Sequence, residues 1–306
     1  MDRVTVYAPG SSSNLGAGFD CLGLALTGRG DRVTAARSSR PGTRVVSVSD
    51  PRIPLDAQRN TAALGAAAVL RRAGEEFGVE LSVEKGLPLA AGLGGSAASA
   101  VAGAVAAQAL LQGRLSRDAL LAAALEAEAA VSGGRHADNV APSLLGGAVL
   151  VAGQDPLRLT SVRVHPSWTF VVVTPGYAVE TAAARALLPE AVWRQDAVEQ
   201  AAHLGGLILG LERGDADLIR DCMTDRIAEP ARSALFPGYV RAFAAAIDAG
   251  AAGVSISGAG PSVLAVVAGG AAAPVAKAMQ DAYGRSGYTA TAFEARIDTT
   301  GARVVV

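Results

Sequence analysis

The chain has 306 residues, 50% of them hydrophobic, with 27 Lys plus Arg against 28 Asp plus Glu. That length and apolar content supply a large core for one or two domains. The near-neutral balance excludes a broad electrostatic basis for binding nucleic acid, so any basic site must be local. Aromatics are only 4% and glycines number 36, so the core must be built from Ala, Val and Leu around many tight backbone positions. Cys21 and Cys222 fall in no CxxC or Cys/His ligand spacing, which sets aside a metal cluster and reads as two reduced thiols in the cytoplasm.

The opening segment MDRVTVYAPG is charged and then alternates, unlike a signal peptide. Val4, Val6 and Ala8 predict a first strand, ended by Pro9 and Gly10. Ser11–Leu26 reads as a Gly- and Ser-rich functional loop leading into a second element. Arg32–Arg37 and Thr43–Val48 predict strands of an antiparallel portion. Asn60–Ala73 carries helical spacing with Gly74 as its stop, and Val79–Glu84 alternates as a strand. The uncharged run Gly86–Gly113 is long enough to cross a bilayer, but Pro88, six glycines and a Ser/Gly cluster break it. It predicts a loop entering a buried helix, Ser96–Leu111, with no membrane span. Ser116 is placed to cap a helix over Arg117–Val131. His136–Gly147 reads as a polar loop, Ala148–Ala152 as a strand, and Gly153–Pro156 as the break between domains 1–153 and 154–306.

The second half predicts a strand at Phe170–Thr174, helices at Thr181–Leu187, Gln195–Leu211 and Asp217–Thr224, and a further segment at Tyr239–Asp248. Strands follow at Gly253–Ser257 and Val263–Val267 around a turn at Gly258–Gly260. A helix at Ala273–Gly284 and a strand at Thr289–Ile297 complete an α+β pattern without repeats. Trp168 and Trp193 are assigned to packing, and His165 and His203 to structural or surface positions.

Three glycine-rich segments carry the chemistry. In PLAAGLGGSAAS (Pro88–Ser99), Gly92, Gly94 and Gly95 free the backbone just ahead of a helix, so several N–H groups and the positive helix end can converge on a phosphate. Ser96 adds a hydroxyl within reach of phosphate or Mg²⁺. The segment is neither a Walker loop nor a dinucleotide fingerprint. A plain turn before a buried helix would explain it equally well in isolation. SISGAGPSVLAVV (Ser255–Val267) taken alone is a turn between strands. SSSNLGAGFDCLG (Ser11–Gly23) sets Asn14 and Asp20 among apolar neighbours, where each needs a partner, either a polar substrate or backbone.

Together and in this order, the three segments resemble the conserved motifs of the GHMP kinases. Within that superfamily, YAPGSSSNLGAGFDCLGLAL, GGRHADNVAPSLLGGAVL and DRIAEPARSALFPGY resemble motifs of the branch that phosphorylates L-homoserine. One departure is Gly95, where a serine is usual. The resemblance implies an ATP-dependent small-molecule kinase of threonine biosynthesis, with an N-terminal domain containing a left-handed βαβ crossover and a ferredoxin-like C-terminal domain.

The resemblance also implies roles. Pro88, Ala90, Ala91, Gly92, Leu93, Gly94, Gly95, Ser96 and Ala97 would cradle ATP, with Gly258 and Gly260 beside them and Asn60 near the adenine. Ser96 and Glu128 would hold Mg²⁺, although an exposed helix charge equally describes Glu128. Arg185 and Arg232 would fork onto the substrate carboxylate, Asp20 would accept its ammonium, and Asn14, Asn139 and His136 would complete the substrate site. Asp138 and Asn139, with Ser96 and Glu128, form the catalytic set. Asp138 is expected to cap backbone N–H groups of its loop rather than act as a base. The resemblance leaves room for a homodimer. Two competing readings are a sister kinase acting on another alcohol, such as mevalonate, and a catalytically silent metabolite sensor.

Overall fold

A computed structural model describes residues 2–305; Met1 and Val306, the outer ends of the two expected domains, lie outside them. The elements are β1 (Arg3–Asn14), β2 (Gly18–Ser38), β3 (Thr43–Val48), α1 (Thr61–Ala73), β4 (Gly78–Glu84), α2 (Gly95–Leu110), α3 (Arg117–Ser132), α4 (Ala137–Leu145), β5 (Ala148–Gln154) and β6 (Leu157–Val162). There follow β7 (Trp168–Pro175), α5 (Thr181–Ala186), α6 (Arg194–Arg213), α7 (Ala216–Cys222), α8 (Ala228–Arg232), α9 (Tyr239–Asp248), β8 (Ala251–Ile256), β9 (Val263–Ala268), α10 (Ala272–Arg285), β10 (Ala290–Ala295) and β11 (Arg303–Val304).

Among the described residues, the first sheet has seven strands, with the path β11-β1-β2-β4-β3 and with β5 and β6 added beside β2. Its axis is β2, 21 residues long. The far half of β2 pairs antiparallel with β4, and Leu22–Leu24 pair with β5. The segment expected as a loop, Ser11–Leu26, is therefore strand on both sides of a short turn. β1 does not stop at Pro9 and Gly10; its register against β2 shifts between Pro9 and Ser11 and the pairing continues. Glycine and serine weaken intrinsic strand preference, but here they let neighbouring backbone approach. A Cβ on Gly23 would stand 1.7 Å from the Asp138 carbonyl oxygen.

β3 and β4 pair in parallel, not antiparallel, with α1 as the crossover between them. Asn60 caps α1, its side chain accepting from the N–H groups of Ala62 and Ala63, and Gly74 closes the helix in the left-handed conformation. α2 and α1 cross at close range because each offers a glycine: a Cβ on Gly103 would meet the Ala62 carbonyl oxygen at 2.0 Å, and one on Gly65 the Ala100 carbonyl oxygen at 2.3 Å. The Ala-rich composition of α2 follows from this geometry, since it is buried on nearly every side.

His136–Gly147, expected as a loop, contains the helix α4. Pro142 lies inside it and removes the N–H that would bond the Asp138 carbonyl. That freed carbonyl is the one that packs on Gly23. Gly153–Pro156 turns the hairpin from β5 to β6, so sheet membership changes only after Val162.

The second sheet is antiparallel with strand order β10-β7-β9-β8. Its chain order, β, helices, β, β, α, β, is that of a ferredoxin-like domain. One apolar cluster fills the first domain and extends to Trp168 and Phe170, and another lies between the second sheet and α9 and α10. Trp168 is buried and its indole N–H donates to the Leu211 carbonyl at 3.1 Å. Trp193, expected in packing, is 83% exposed at the start of α6. Among the described residues, no helix is long and apolar enough to cross a membrane.

The glycine crossing is testable. Gly103→Val should force α1 and α2 apart and lower stability by about 3 kcal/mol through overpacking. Denaturant unfolding with an unchanged midpoint would contradict this packing.

Candidate active site

The three glycine-rich segments meet and bond to one another. The Ser11 N–H donates to the Leu93 carbonyl at 3.1 Å, and the Ser262 N–H donates to the Ala91 carbonyl at 3.1 Å. The Gly258 N–H donates to the Ser13 carbonyl at 3.0 Å, while Asn14 Nδ2 donates back to the Gly258 carbonyl at 2.8 Å. Ser257 Oγ donates to the Gly92 carbonyl at 2.7 Å. α4 joins the same knot: Ser11 Oγ donates to Asn139 Oδ1 at 2.9 Å, and Asn139 Nδ2 donates to Ser13 Oγ at 3.0 Å. Both ends of the Asn139 amide are thus engaged in holding segments together.

In the central segment every second residue is left-handed: Ala90 at φ +51°, Gly92 at +74° and Gly94 at +62°. Such alternation turns successive N–H groups toward one concavity. Gly94 starts α2 without any side-chain cap, and the first helical bond, Ala98 N–H to the Gly94 carbonyl, is 2.8 Å. The N–H groups of Gly95, Ser96 and Ala97 are therefore left for an anion. A Cβ on Gly94 would meet Ser11 Oγ at 2.0 Å, and one on Gly92 the Ser257 carbonyl oxygen at 2.2 Å. Gly95 is different: its nearest neighbour would be Lys85 Nζ at 3.4 Å, so a serine there is sterically acceptable.

These segments border a cleft of about 300 Å³. Its lining includes Pro88–Ser96, Asn14, Asp20, Asn60, Glu128, His136, Asp138, Asn139, Arg185, Arg232 and Gly258, so nearly all the expected residues come together. Two do not line it. Ala97 is buried in the helix, and Gly260 lies behind the loop, where its backbone contacts Gly92 and its Cα faces Phe236. Asn60 borders the cleft, but its amide is spent on α1 and on the Pro54 carbonyl, at 2.9 Å.

A metal ion fits one part of this lining. Ser96 Oγ and Glu128 Oε2 are buried polar atoms with no hydrogen-bond partner among the described residues, a costly state unless a ligand completes them. Glu128 is 4% exposed, so it is not the exposed helix charge its sequence setting allowed. Its other oxygen faces His136 Nδ1 at 3.4 Å, and Ser132 Oγ lies 3.1 Å from that nitrogen. Among the described residues no group of three or more His, Cys, Asp or Glu is arranged to hold a metal alone. A hydroxyl and one carboxylate suit Mg²⁺, which takes its remaining ligands from phosphate and water.

The other part of the lining is charged. Arg185 forks onto Asp20 through bonds of 3.0 and 2.8 Å. Arg232 is buried, its Nε donating to the Ala184 carbonyl at 2.9 Å and its guanidinium lying over Phe19. Burial first, and Arg185 second, pull its pKa down. Asp138 is also buried. Its carboxyl is pushed up to about 6 by burial first and by the charge of Asp20 next, against the pull of His136, Ser13 and Arg185. The capping role expected of Asp138 is not present: among the described residues no backbone N–H bonds its carboxylate. The segment is helical, and the side chain faces the cleft instead.

Comparisons with known proteins agree with this geometry. The sequence matches the family models described as GHMP kinases N terminal domain over residues 60–147 and GHMP kinases C terminal over residues 207–285. It is 40% identical to the homoserine kinase of Xylella fastidiosa (strain 9a5c) over 99% of this chain and 94% of that protein. It is also 40% identical to the homoserine kinase of Halorubrum lacusprofundi over 96% of this chain and 97% of that protein. The crystal structure of homoserine kinase from Cytophaga hutchinsonii superposes with a TM-score of 0.96 at 39% identity, covering 100% of this chain and 98% of the other.

One group beneath the loop escaped the sequence reading. Lys85 Nζ bonds Asp31, the Gly95 carbonyl at 2.7 Å and Ser99 Oγ at 3.0 Å. Asp31 is fully buried and also accepts from Ser99 Oγ at 2.7 Å. The available signal was that this chain has only two lysines, Lys85 and Lys277, one of them directly before the glycine loop. Asp31→Ala should strand a buried ammonium and cost about 3–5 kcal/mol. Asp31→Ala combined with Lys85→Met should recover most of that loss. Equal unfolding midpoints for wild type and Asp31→Ala would contradict the buried pair.

Proposed function

The chain belongs to the GHMP kinases, which are ATP-dependent small-molecule kinases, and from that premise we propose that it transfers the γ-phosphate of ATP to the hydroxyl of L-homoserine. The observation that carries the substrate is the Asp20–Arg185 pair beside Arg232 in the cleft that the phosphate loop borders. An acceptor carboxylate next to two guanidinium groups complements an amino acid zwitterion. Mevalonate has a carboxylate but no ammonium for Asp20. The partnerless Ser96 and Glu128 oxygens favour a metal-assisted kinase over a silent sensor.

The residues divide the chemistry. The N–H groups at the start of α2 take the phosphates, with Gly92 and Gly94 giving the close approach. Ser96 and Glu128 would hold Mg²⁺, which neutralises phosphate charge when bound. Arg185 and Arg232 bind the substrate carboxylate, and Asp20 binds its ammonium. His136 orients Glu128, and Asn14 and Asn139 hold the segments that face the substrate. Asp138 lies on that wall as a positioning charge. Phosphoryl transfer passes through a loose transition state in which little proton removal is needed early, so positioning and charge supply most of the rate.

ADP release in the presence of Mg²⁺ should follow addition of L-homoserine and not of mevalonate; turnover of mevalonate at an equal or higher rate would overturn the assignment. Arg232→Ala should cost about 2–5 kcal/mol in kcat/KM, and Arg232→Lys should recover only part because the fork is lost. Wild-type kcat/KM in Arg232→Ala would remove this arginine from the site. Asp138→Asn should keep more than about a hundredth of kcat, since a general base would contribute about 10²–10⁴-fold. A thousandfold loss of kcat, with disappearance of a limb near pH 6, would make Asp138 the base.

A further inference from the structure

Glu229 has no part in the chemistry so far, yet both of its carboxylate oxygens are engaged inside the protein. It lies on α8, three residues before Arg232. Its Oε1 accepts from the Ile256 N–H at 2.7 Å, and its Oε2 accepts from the Tyr239 hydroxyl at 2.9 Å. It therefore ties the short helix that carries Arg232 to the last residue of β8, directly before the Ser257–Gly260 turn, and to the start of α9. That turn bonds both the phosphate loop and Asn14. α8 itself is fixed from its other end by Asp225, whose carboxylate accepts from the N–H groups of Ile227, Ala228 and Glu229 at 2.7, 2.9 and 3.0 Å.

The side chains of Glu229 and Arg232 bond other partners and form no hydrogen bond or ion pair with each other. Both border a small cavity of about 10 Å³, lined by Asn14 and Asp225 on its polar side and by Phe236 and Ile256 on its apolar side, the size of a single water. We propose that Glu229 is a positioning residue for substrate capture: it fixes the Arg232 helix on the Ser257–Gly260 turn, and across the small cavity it sets the net charge that meets the substrate carboxylate. This inference rests on the reading of Arg232 given above.

Its charge state follows from its surroundings. Burial first pushes the Glu229 carboxyl up to about 7, with Asp225 adding to the rise and the Ile256 N–H, the Tyr239 hydroxyl and Arg232 opposing it. Beyond Arg232 stand Arg185 and Asp20. A carboxylate arriving at Arg232 brings negative charge toward Glu229 and so favours its protonated form. Binding then takes up a proton wherever free Glu229 is ionised, and affinity falls as pH rises through about 7. Asp138 titrates separately and lower, at about 6.

The test is the KM for L-homoserine at saturating Mg-ATP in wild type, Glu229→Gln and Glu229→Ala. Glutamine can accept from Ile256 and donate to Tyr239, imitating the protonated acid. Wild-type KM should rise about threefold or more between about pH 6 and about pH 8, and Glu229→Gln should lose that rise while keeping the low-pH KM. Glu229→Ala should raise KM about tenfold or more at every pH with a much smaller change in kcat. Should Glu229→Ala fail to fold, the pH profile of Glu229→Gln decides. A Glu229→Gln profile that overlays wild type, or a folded Glu229→Ala with wild-type KM, overturns this inference alone. A wild type without turnover of L-homoserine overturns the functional reading and this inference with it.

Discussion

The site depends on backbone meeting backbone. Three segments distant in sequence exchange hydrogen bonds between their own N–H and carbonyl groups, and the chain can come that close only where side chains are absent or end in a small hydroxyl. Gly92 lies against the carbonyls of Ser257 and Gly260, Gly94 against Ser11 Oγ, and Gly23 against the Asp138 carbonyl. Serines 11, 12, 13 and 257 and Asn139 fill the remaining polar gaps, as in the Ser12–Ser257 contact of 2.8 Å. Buried polar networks of this kind rigidify when every member is satisfied. The phosphate loop can thus present uncapped N–H groups because everything behind it is fixed.

Against that rigid network the site concentrates charge. Asp31 and Lys85 form a buried pair beneath the loop, Asp138 and Glu229 are carboxyls raised toward neutrality by burial, and Arg232 is a buried cation. Each is expensive to desolvate; Lys85, Asp138 and Arg232 line the cleft, while Asp31 pairs with Lys85 and Glu229 borders a second small cavity with Arg232. The shifts of Asp138 and Arg232 at the cleft are of the kind that working sites share. The partnerless oxygens of Ser96 and Glu128 belong to the same pattern, since their cost is repaid only when a ligand completes them.

Much of this was legible in the sequence because the decisive features are local. Asn60 and Gly74 framed α1, Ser116 capped α3 as its side chain predicted, and the glycine loop announced its helix. Other features were hidden because tertiary contact overrode local preference. Ser11–Leu26 has loop composition but lies in a sheet, where small residues serve close approach rather than flexibility. His136–Gly147 has Pro142 and polar residues but forms α4, and the carbonyl that Pro142 frees packs on Gly23. The Gly153–Pro156 break is a hairpin turn within the first sheet. Asp31 and Lys85 carried no motif, and their significance is their burial, which no local pattern records; Glu229 lay inside the DRIAEPARSALFPGY motif, but its tertiary partners Ile256 and Tyr239 are not local.

In the proposed function the cleft binds a zwitterion, with Asp20 facing the ammonium and Arg185 and Arg232 the carboxylate. The most direct measurement compares kcat/KM for L-homoserine with that for 4-hydroxybutanoate, which keeps the carboxylate and hydroxyl but has no amine. A site in which Asp20 binds the ammonium should lose at least about a hundredfold with the analogue, which offers Asp20 no charged group to bind. Equal kcat/KM values for the two compounds would contradict the account.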